Sequence, residues 1–460
     1  MERNRLKYFS RHLAGRLTMA LLLVSTLLSC SADYRQTVPE NCQALMAVDL
    51  SHSLGPEGMD ELKSKLRVEN ISDCGIDGAE PIYIFETHDG RFGCVAKTDS
   101  REKLEEWLGS LVPSGQIQAL SERKGLSFFL LKGSMMIAVS DAAVMMMGPV
   151  VETAHQELQR KMSRLLEAEQ QLSPLFELLD VEKTGISAVA YAKALPQQLE
   201  SMFLLGIDRQ VAQKEVAVKF DVSHENHCLQ LVAHPFSLHP ETDRQLQTAL
   251  EHYHPIRPFF ADRISGDAVF SLACGMKGED MLQLLRSNPT LRTVLMGMNT
   301  SLDMDKLIRS VDGNILLSLR SWQGEHSQFV VLAEQKQPDW TQDIDYWMQS
   351  APPGTAIRRI PSASPYPQLS VNSGSWQLRL GISEDSLLYL ATSDSLLQSV
   401  LQQTNRPLPA PVAAQVAHSR FCGVLGLEAL AKQNSELKGM VSFLRSLLGK
   451  TDYIVYSIEK

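Results

Sequence analysis

The sequence predicts an α+β protein made of two tandem, structurally related repeats. Each is a mostly antiparallel sheet covered by helices around a split βαβ-like core. Three observations carry this expectation. Five blocks of sequence recur in the same order, four of them at offsets of 235 to 240. Short apolar strands alternate with tight turn signals. Two helices, one in each half, carry matching apolar stripes with tryptophan.

The blocks run as follows. Residues 91–111 align with 328–350 in two blocks, the first with Phe92 on Phe329 and Ala96 on Ala333 at an offset of 237, the second with Trp107-Leu108 on Trp347-Met348 at 240. Residues 133–144 align with 385–397 around the Ser-Asp pairs 140–141 and 393–394. Residues 184–195 align with 420–430, sharing Ala194-Leu195 and Ala429-Leu430 at 235. Residues 215–222 align with 452–459 at 237. The expected division is a first repeat at 42–236, a joint at 237–262 with three prolines and one amphipathic helix, and a second repeat at 263–460.

Within the first repeat, a strand at 43–50 precedes a helix near 57–67. Strands at 81–87 and 91–98 form a hairpin whose turn is Asp89-Gly90, a pair that tolerates positive φ. Asp99 caps the next helix, with Glu102 three residues on. That helix places Leu104, Trp107, Leu108, Leu111 and Val112 on one face. In the second repeat Pro338 opens the equivalent helix, and Trp340, Ile344, Trp347 and Met348 repeat the stripe. Strands follow at 117–121, 126–131 and 134–140, then a long helix at 151–172, then a strand–helix–strand–strand run to 236.

The N-terminus is organised for export. Arg3, Arg5, Lys7, Arg11 and Arg16 precede an apolar run of twelve residues, Leu17–Leu28, which is too short to span a bilayer. Leu27-Leu28-Ser29-Cys30 resembles the lipobox of bacterial lipoproteins. That resemblance implies a signal peptide at 1–29, diacylglyceryl transfer to the Cys30 thiol, cleavage before Cys30, acylation of the freed amine and a lipidated tether at 30–41. A thiol is the most nucleophilic of the neutral side chains, and two or more acyl chains hold stably where one does not. Ser31 after the cysteine implies transfer to the outer membrane, facing the periplasm.

Together, the lipobox, the lead "DYRQTVPENCQALMAVDL" into a first strand and the duplicated body resemble a family of predicted lipoproteins of unknown function from Bacteroidetes. That resemblance implies an envelope location and supplies no catalytic residue.

Removing residues 1–29 takes away five basic side chains and one acidic one, leaving 39 Lys+Arg against 52 Asp+Glu and a net charge of −13. Such a chain has no general attraction for nucleic acid or anionic lipid heads. The six later cysteines have irregular spacing and no CxxC, which argues against a zinc ribbon or thioredoxin-type centre. Cys42, Cys74 and Cys94 are close enough in sequence for one local bridge, and Cys228, Cys274 and Cys422 read as buried thiols.

Six of the twelve histidines fall in 224–254. His224, His227, Cys228 and His234 form a candidate zinc or copper set, against a bland reading as a solvated hairpin edge. Met135, Met136, Met145, Met146 and Met147 read as core filling beside the long helix. Ser100–Lys103 and Lys183–Gly185 match two elements of serine enzymes that act on peptidoglycan cross-links, but the third element is missing. Gly449-Lys450-Thr451 lacks the glycine-rich loop of a nucleotide site, and the stretch from Asp180 lacks the final glutamate of a calcium loop. Trp340, Tyr346 and Trp347 are candidate binding residues at the joint, with core packing as the other role for the tryptophans.

The functional expectation is a lipid-anchored envelope protein that binds or scaffolds an envelope protein or glycan without catalysis. It needs no cofactor beyond the diacylglyceryl and N-acyl lipid on Cys30, and contacts the membrane through that anchor. An envelope hydrolase with a dispersed site and a metal-binding protein using 224–254 are the alternatives.

Overall fold

The computed structural model describes residues 33–458 apart from 132–133, 168–169, 196–206, 208, 288, 300–301, 324–325, 337, 362–364, 434–437, 439–440, 443–444 and 446–448. The expected signal segment and Cys30 lie outside the described residues. Among the described residues no helix is long and apolar enough to cross a membrane. Two compact units are present. The smaller holds 33–40, 75–77 and 95–173; the larger holds 41–74, 78–94 and 174–458.

The smaller unit is built on a four-stranded antiparallel meander with a helix on each face, and the end of a further strand, β3 (Phe92–Lys97), pairs with its last strand. The meander's strands are β4 (Ile117–Ala119), β5 (Ser127–Leu131), β6 (Met135–Val139) and β7 (Ala143–Gly148). Pairing of Phe129 with Ile137 and of Ile137 with Met146 puts these residues on one face. Leu104 and Leu108 of helix Arg101–Leu111 pack against that face. Met136, Ala138, Met145 and Met147 point to the other face, which helix His155–Glu167 covers through Leu158, Met162 and Leu165. Burial on both sides removes any reason for the strands to alternate, so "MMIAV" and "AVMMMG" read as continuous apolar runs. The methionines are core filling as expected, whereas β7 carried no alternating signal and was absent from the sequence expectation. The long helix is shorter than expected, with Val151 and Leu172 both exposed. Tyr34, Thr37 and Val38 are buried, and helix His155–Glu167 packs on Tyr34–Thr37, so the expected tether residues are folded from Tyr34 onward.

Ser100, not Asp99, caps helix Arg101–Leu111, its Oγ accepting from the Lys103 amide at 3.4 Å. The amides of both Asp99 and Ser100 donate to the Gly75 carbonyl, which holds the chain extended through Ser100 and moves the helix start one residue on.

In the larger unit the strands follow one order, β2-β1-β8-β9-β10-β20-β19-β12-β13-β14-β18-β17-β16-β15. Their ranges are β1 Ala44–Val48, β2 Ile82–Glu86, β8 Ile186–Tyr191, β9 Val216–Glu225, β10 Cys228–Ser237, β12 Phe270–Lys277, β13 Val311–Ser321, β14 Gln328–Gln335, β15 Thr355–Arg359, β16 Gln368–Ser373, β17 Trp376–Ile382, β18 Leu387–Ala391, β19 Phe421–Gly426 and β20 Tyr453–Ile458. A short β11, Tyr253–His254, adds to β12. Every pairing in this order is antiparallel except β10 with β20. β2 and β3 (Phe92–Lys97) flank the expected turn, where Gly90 has φ +74° and the Thr87 amide donates to the Arg91 carbonyl at 2.8 Å.

The two halves of the chain repeat their strand pairings. β1 pairs with β2 and β8, and β8 with β9; β12 pairs with β13 and β19, and β19 with β20. The β4-β5-β6-β7 meander has its counterpart in β15-β16-β17-β18. This topology corrects one block of the sequence alignment. Residues 133–144 are β6, whose counterpart is β17, while 385–397 contain β18, the counterpart of β7. The two blocks share a strand ending in Ser-Asp, a turn signal that recurs on different strands. In each repeat the first strand lies directly beside the second, antiparallel, so the intervening helix joins neighbours, where a split βαβ unit leaves a strand between them. The stretch between the repeats is packed: Tyr253, Ile256 and Phe260 are all at most 1% exposed.

Candidate functional site

The four residues of the candidate metal set lie on one hairpin but do not converge on a common point. Asn226 and His227 form the tight turn of the β9–β10 hairpin, both with positive φ. His224 Nε2 lies 3.0 Å from Thr451 Oγ1, and His227 Nδ1 lies 3.8 Å from an Asp452 carboxylate oxygen. Burial, with His227 adding to it, holds the His224 imidazole below its usual pKa. His234 sits further along β10, 3.2 Å from Asp221, which also meets Lys219 at 3.4 Å. Cys228 points into the core, where burial pushes its thiol up to about 12. Among the described residues no three His, Cys, Asp or Glu side chains converge as metal ligands.

The three candidate binding residues also divide. Trp340 and Trp347 are buried and stacked, 6.1 Å apart and 5° from parallel, in a core with Ile344, Leu369 and Leu380. Tyr346 faces outward and is 70% exposed. The Ser100 hydroxyl of the S-x-x-K pattern is occupied as a helix cap. Gly185 of K-T-G ends the short helix Val181–Thr184 in the left-handed region, its carbonyl accepting from Asp49 and Ser53. Cys42, Cys74, Cys94, Cys228, Cys274 and Cys422 are thiols, so the local bridge expected among the first three is not formed. Cys74 Sγ instead donates to the Ile71 carbonyl.

A polar cleft of about 540 Å³ lies in the second repeat and draws on residues that the sequence did not single out. β16 contributes Gln368, β17 Arg379, and β18 Tyr389. The turn between β17 and β18 contributes Glu384 and Asp385; helix Asp394–Leu401 contributes Asp394, Leu397 and Gln398. The sheet register explains the assembly. Ser370 pairs with Arg379, and Arg379 with Ala391, so the Arg379 side chain stands over the start of the helix that follows β18. Its Nε donates to Asp394 at 2.8 Å and its Nη1 to Ser370 Oγ at 2.9 Å. Ser393 caps the same helix through its own hydroxyl. Tyr389 lies across Gly381, where a β-carbon would come 2.6 Å from the phenol oxygen. Burial, with Asp394 adding to it against Arg379, pushes the Tyr389 phenol up to about 12.

One charged side chain behind the cleft is nearly inaccessible. Arg263 is 8% exposed, with its guanidinium 3.4 Å above the Phe259 ring. It donates to the Phe259 and Leu401 carbonyls and lies 3.9 Å from Asp385. The cleft therefore presents donors and acceptors with most of its charge already balanced, an arrangement suited to holding a polar ligand. The sequence signal was faint. Ser393-Asp394 stood out only as a repeat marker, and the other residues come from elements separated by turns.

A family model described as "Domain of unknown function (DUF4836)" matches residues 36–406. No curated protein matches the sequence. Among solved structures, crystal form IV of TP0453 is similar at a TM-score of 0.28 and 10% identity, covering 43% of this chain and 77% of that one. Crystal form III of TP0453 is similar at a TM-score of 0.23 and 8% identity, covering 81% of this chain and 98% of that one. Scores this low carry nothing over to the present chain.

Proposed function

The chain belongs to the DUF4836 family, a domain of unknown function, and from that starting point we propose that it is a lipid-anchored protein of a bacterial envelope that binds another envelope component without transforming it. The anchor is Cys30, and the folded body faces the periplasm from the outer membrane. The observation that carries this reading is Leu27-Leu28-Ser29-Cys30 at the end of a basic and then apolar leader. The Arg379–Asp394 and Arg263–Asp385 pairs support binding over catalysis, because they balance charge in the cleft and place no nucleophile beside a base. Labelled palmitate enters the wild-type chain in a bacterial host and fails to enter Cys30→Ser, which then leaves the membrane fraction. Equal labelling of the two chains overturns the anchor.

A further inference from the structure

From the cleft of the second repeat we infer a binding site for a neutral saccharide, an assignment that rests on the binding reading above. Its volume of about 540 Å³ lies within the span of small-ligand sites, roughly 300–1,000 Å³. The lining then decides the ligand class.

Glu384, Asp385 and Asp394 all face this space, so phosphate, carboxylate and sulfate ligands meet like charge. Among the described residues the one lining cation, Arg379, is already committed to Asp394 and Ser370. A cation meets one carboxylate in excess, Glu384, since Arg379 offsets Asp394 and the buried Arg263 stands beside Asp385; a single exposed carboxylate gives a cation modest attraction. What is left over is hydrogen-bonding capacity. The bonds that hold Arg379 use its Nε and Nη1 and the Oδ1 of Asp394, so the guanidinium and the carboxylate each retain further hydrogen-bonding capacity. Gln398 accepts from Gln402 at 3.1 Å and retains its own amide donors, while the Glu384 carboxylate faces the same space. Adjacent donors and acceptors on planar side chains match vicinal hydroxyls, each of which both donates and accepts. Leu397, Leu401 and Ile360 supply an apolar strip for the C–H face of a sugar ring. The Arg379 side chain, 28% exposed and held at two points, is ordered before a ligand arrives, which lowers the entropy lost on binding.

The test titrates the full chain, in detergent, with maltotriose, chitotriose and xylotriose, following heat or ligand-detected NMR. At least one trisaccharide is expected to bind with Kd of about 1 mM or tighter. Glu384→Gln and Arg379→Lys are each expected to weaken it about tenfold, since each removes a charge-assisted bond. The glutamine variant changes an exposed turn and guards against reading a folding defect as lost binding. Failure of all three sugars overturns the inference, as does unchanged affinity in both variants, or saturable binding of tri-lysine or inorganic phosphate in their place. Palmitate labelling of the same variants separates the outcomes: sugar binding without label removes the anchor alone, and label without sugar binding removes this assignment alone.

Discussion

Cys228, Cys274 and Tyr389 are held in their neutral forms by burial, and each is pushed up to about 12. The unfolded chain ionises its thiols near 9.0 and its phenols near 10.0, so it releases protons first as pH rises. The stability these groups contribute is complete below pH 9 and is lost progressively as pH climbs toward 12. Unfolding free energies from urea titration are expected to be level between about pH 7 and 8.5 and to fall steeply above it, by on the order of a few kcal/mol in total. Cys274→Ser, which has no group to ionise in this range, flattens that fall; an identical slope in the variant excludes the account. The same burial explains why Cys228, Cys274 and Cys422 read correctly as core thiols from their apolar strands, while nothing in the spacing of Cys42, Cys74 and Cys94 reported their geometry.

Element by element, the sequence was most informative where one face of a segment is wet. Helix Arg101–Leu111 has a single buried stripe, and Leu104 and Leu108 occupy the positions its periodicity requires. β7 is covered on both sides, so it has no period to read. Helix starts lie between these cases. Asp99 and Ser100 are both good caps by residue type, and the choice between them falls to the Gly75 carbonyl, which is distant from neither in space but invisible to local pattern. Ser100→Ala is expected to cost about 1 kcal/mol while Asp99→Ala costs less, measured by chemical unfolding. Reversal of that order returns the cap to Asp99. The cleft was illegible for a related reason. Arg379 and Asp394 belong to different elements, and their pairing exists only once β17, β18 and the following helix are in register.

At the scale of the whole molecule, the two repeats reuse one set of strand pairings, and β10 is an addition that has no counterpart among the described strands of the second repeat. It continues β9 on one side and takes β20 in parallel on the other, Gln230 lying opposite Val455. β20 is in turn paired with β19, Val455 opposite Val424, so Val455 is central to two ladders and fully buried. Val455→Pro is expected to lower stability by more than about 3 kcal/mol in a urea titration followed by circular dichroism. A loss below about 1 kcal/mol means that the parallel seam contributes little.

That seam also orders events in time. β10 ends at residue 237, yet its parallel partner begins only at Tyr453. The β9–β10 hairpin can form before β20 is in place, which leaves a bare row of amides and carbonyls along one edge of β10. A chain of this design has reason to recruit a chaperone to that row until its last strand arrives, and on the export proposed above that chaperone waits beyond the membrane.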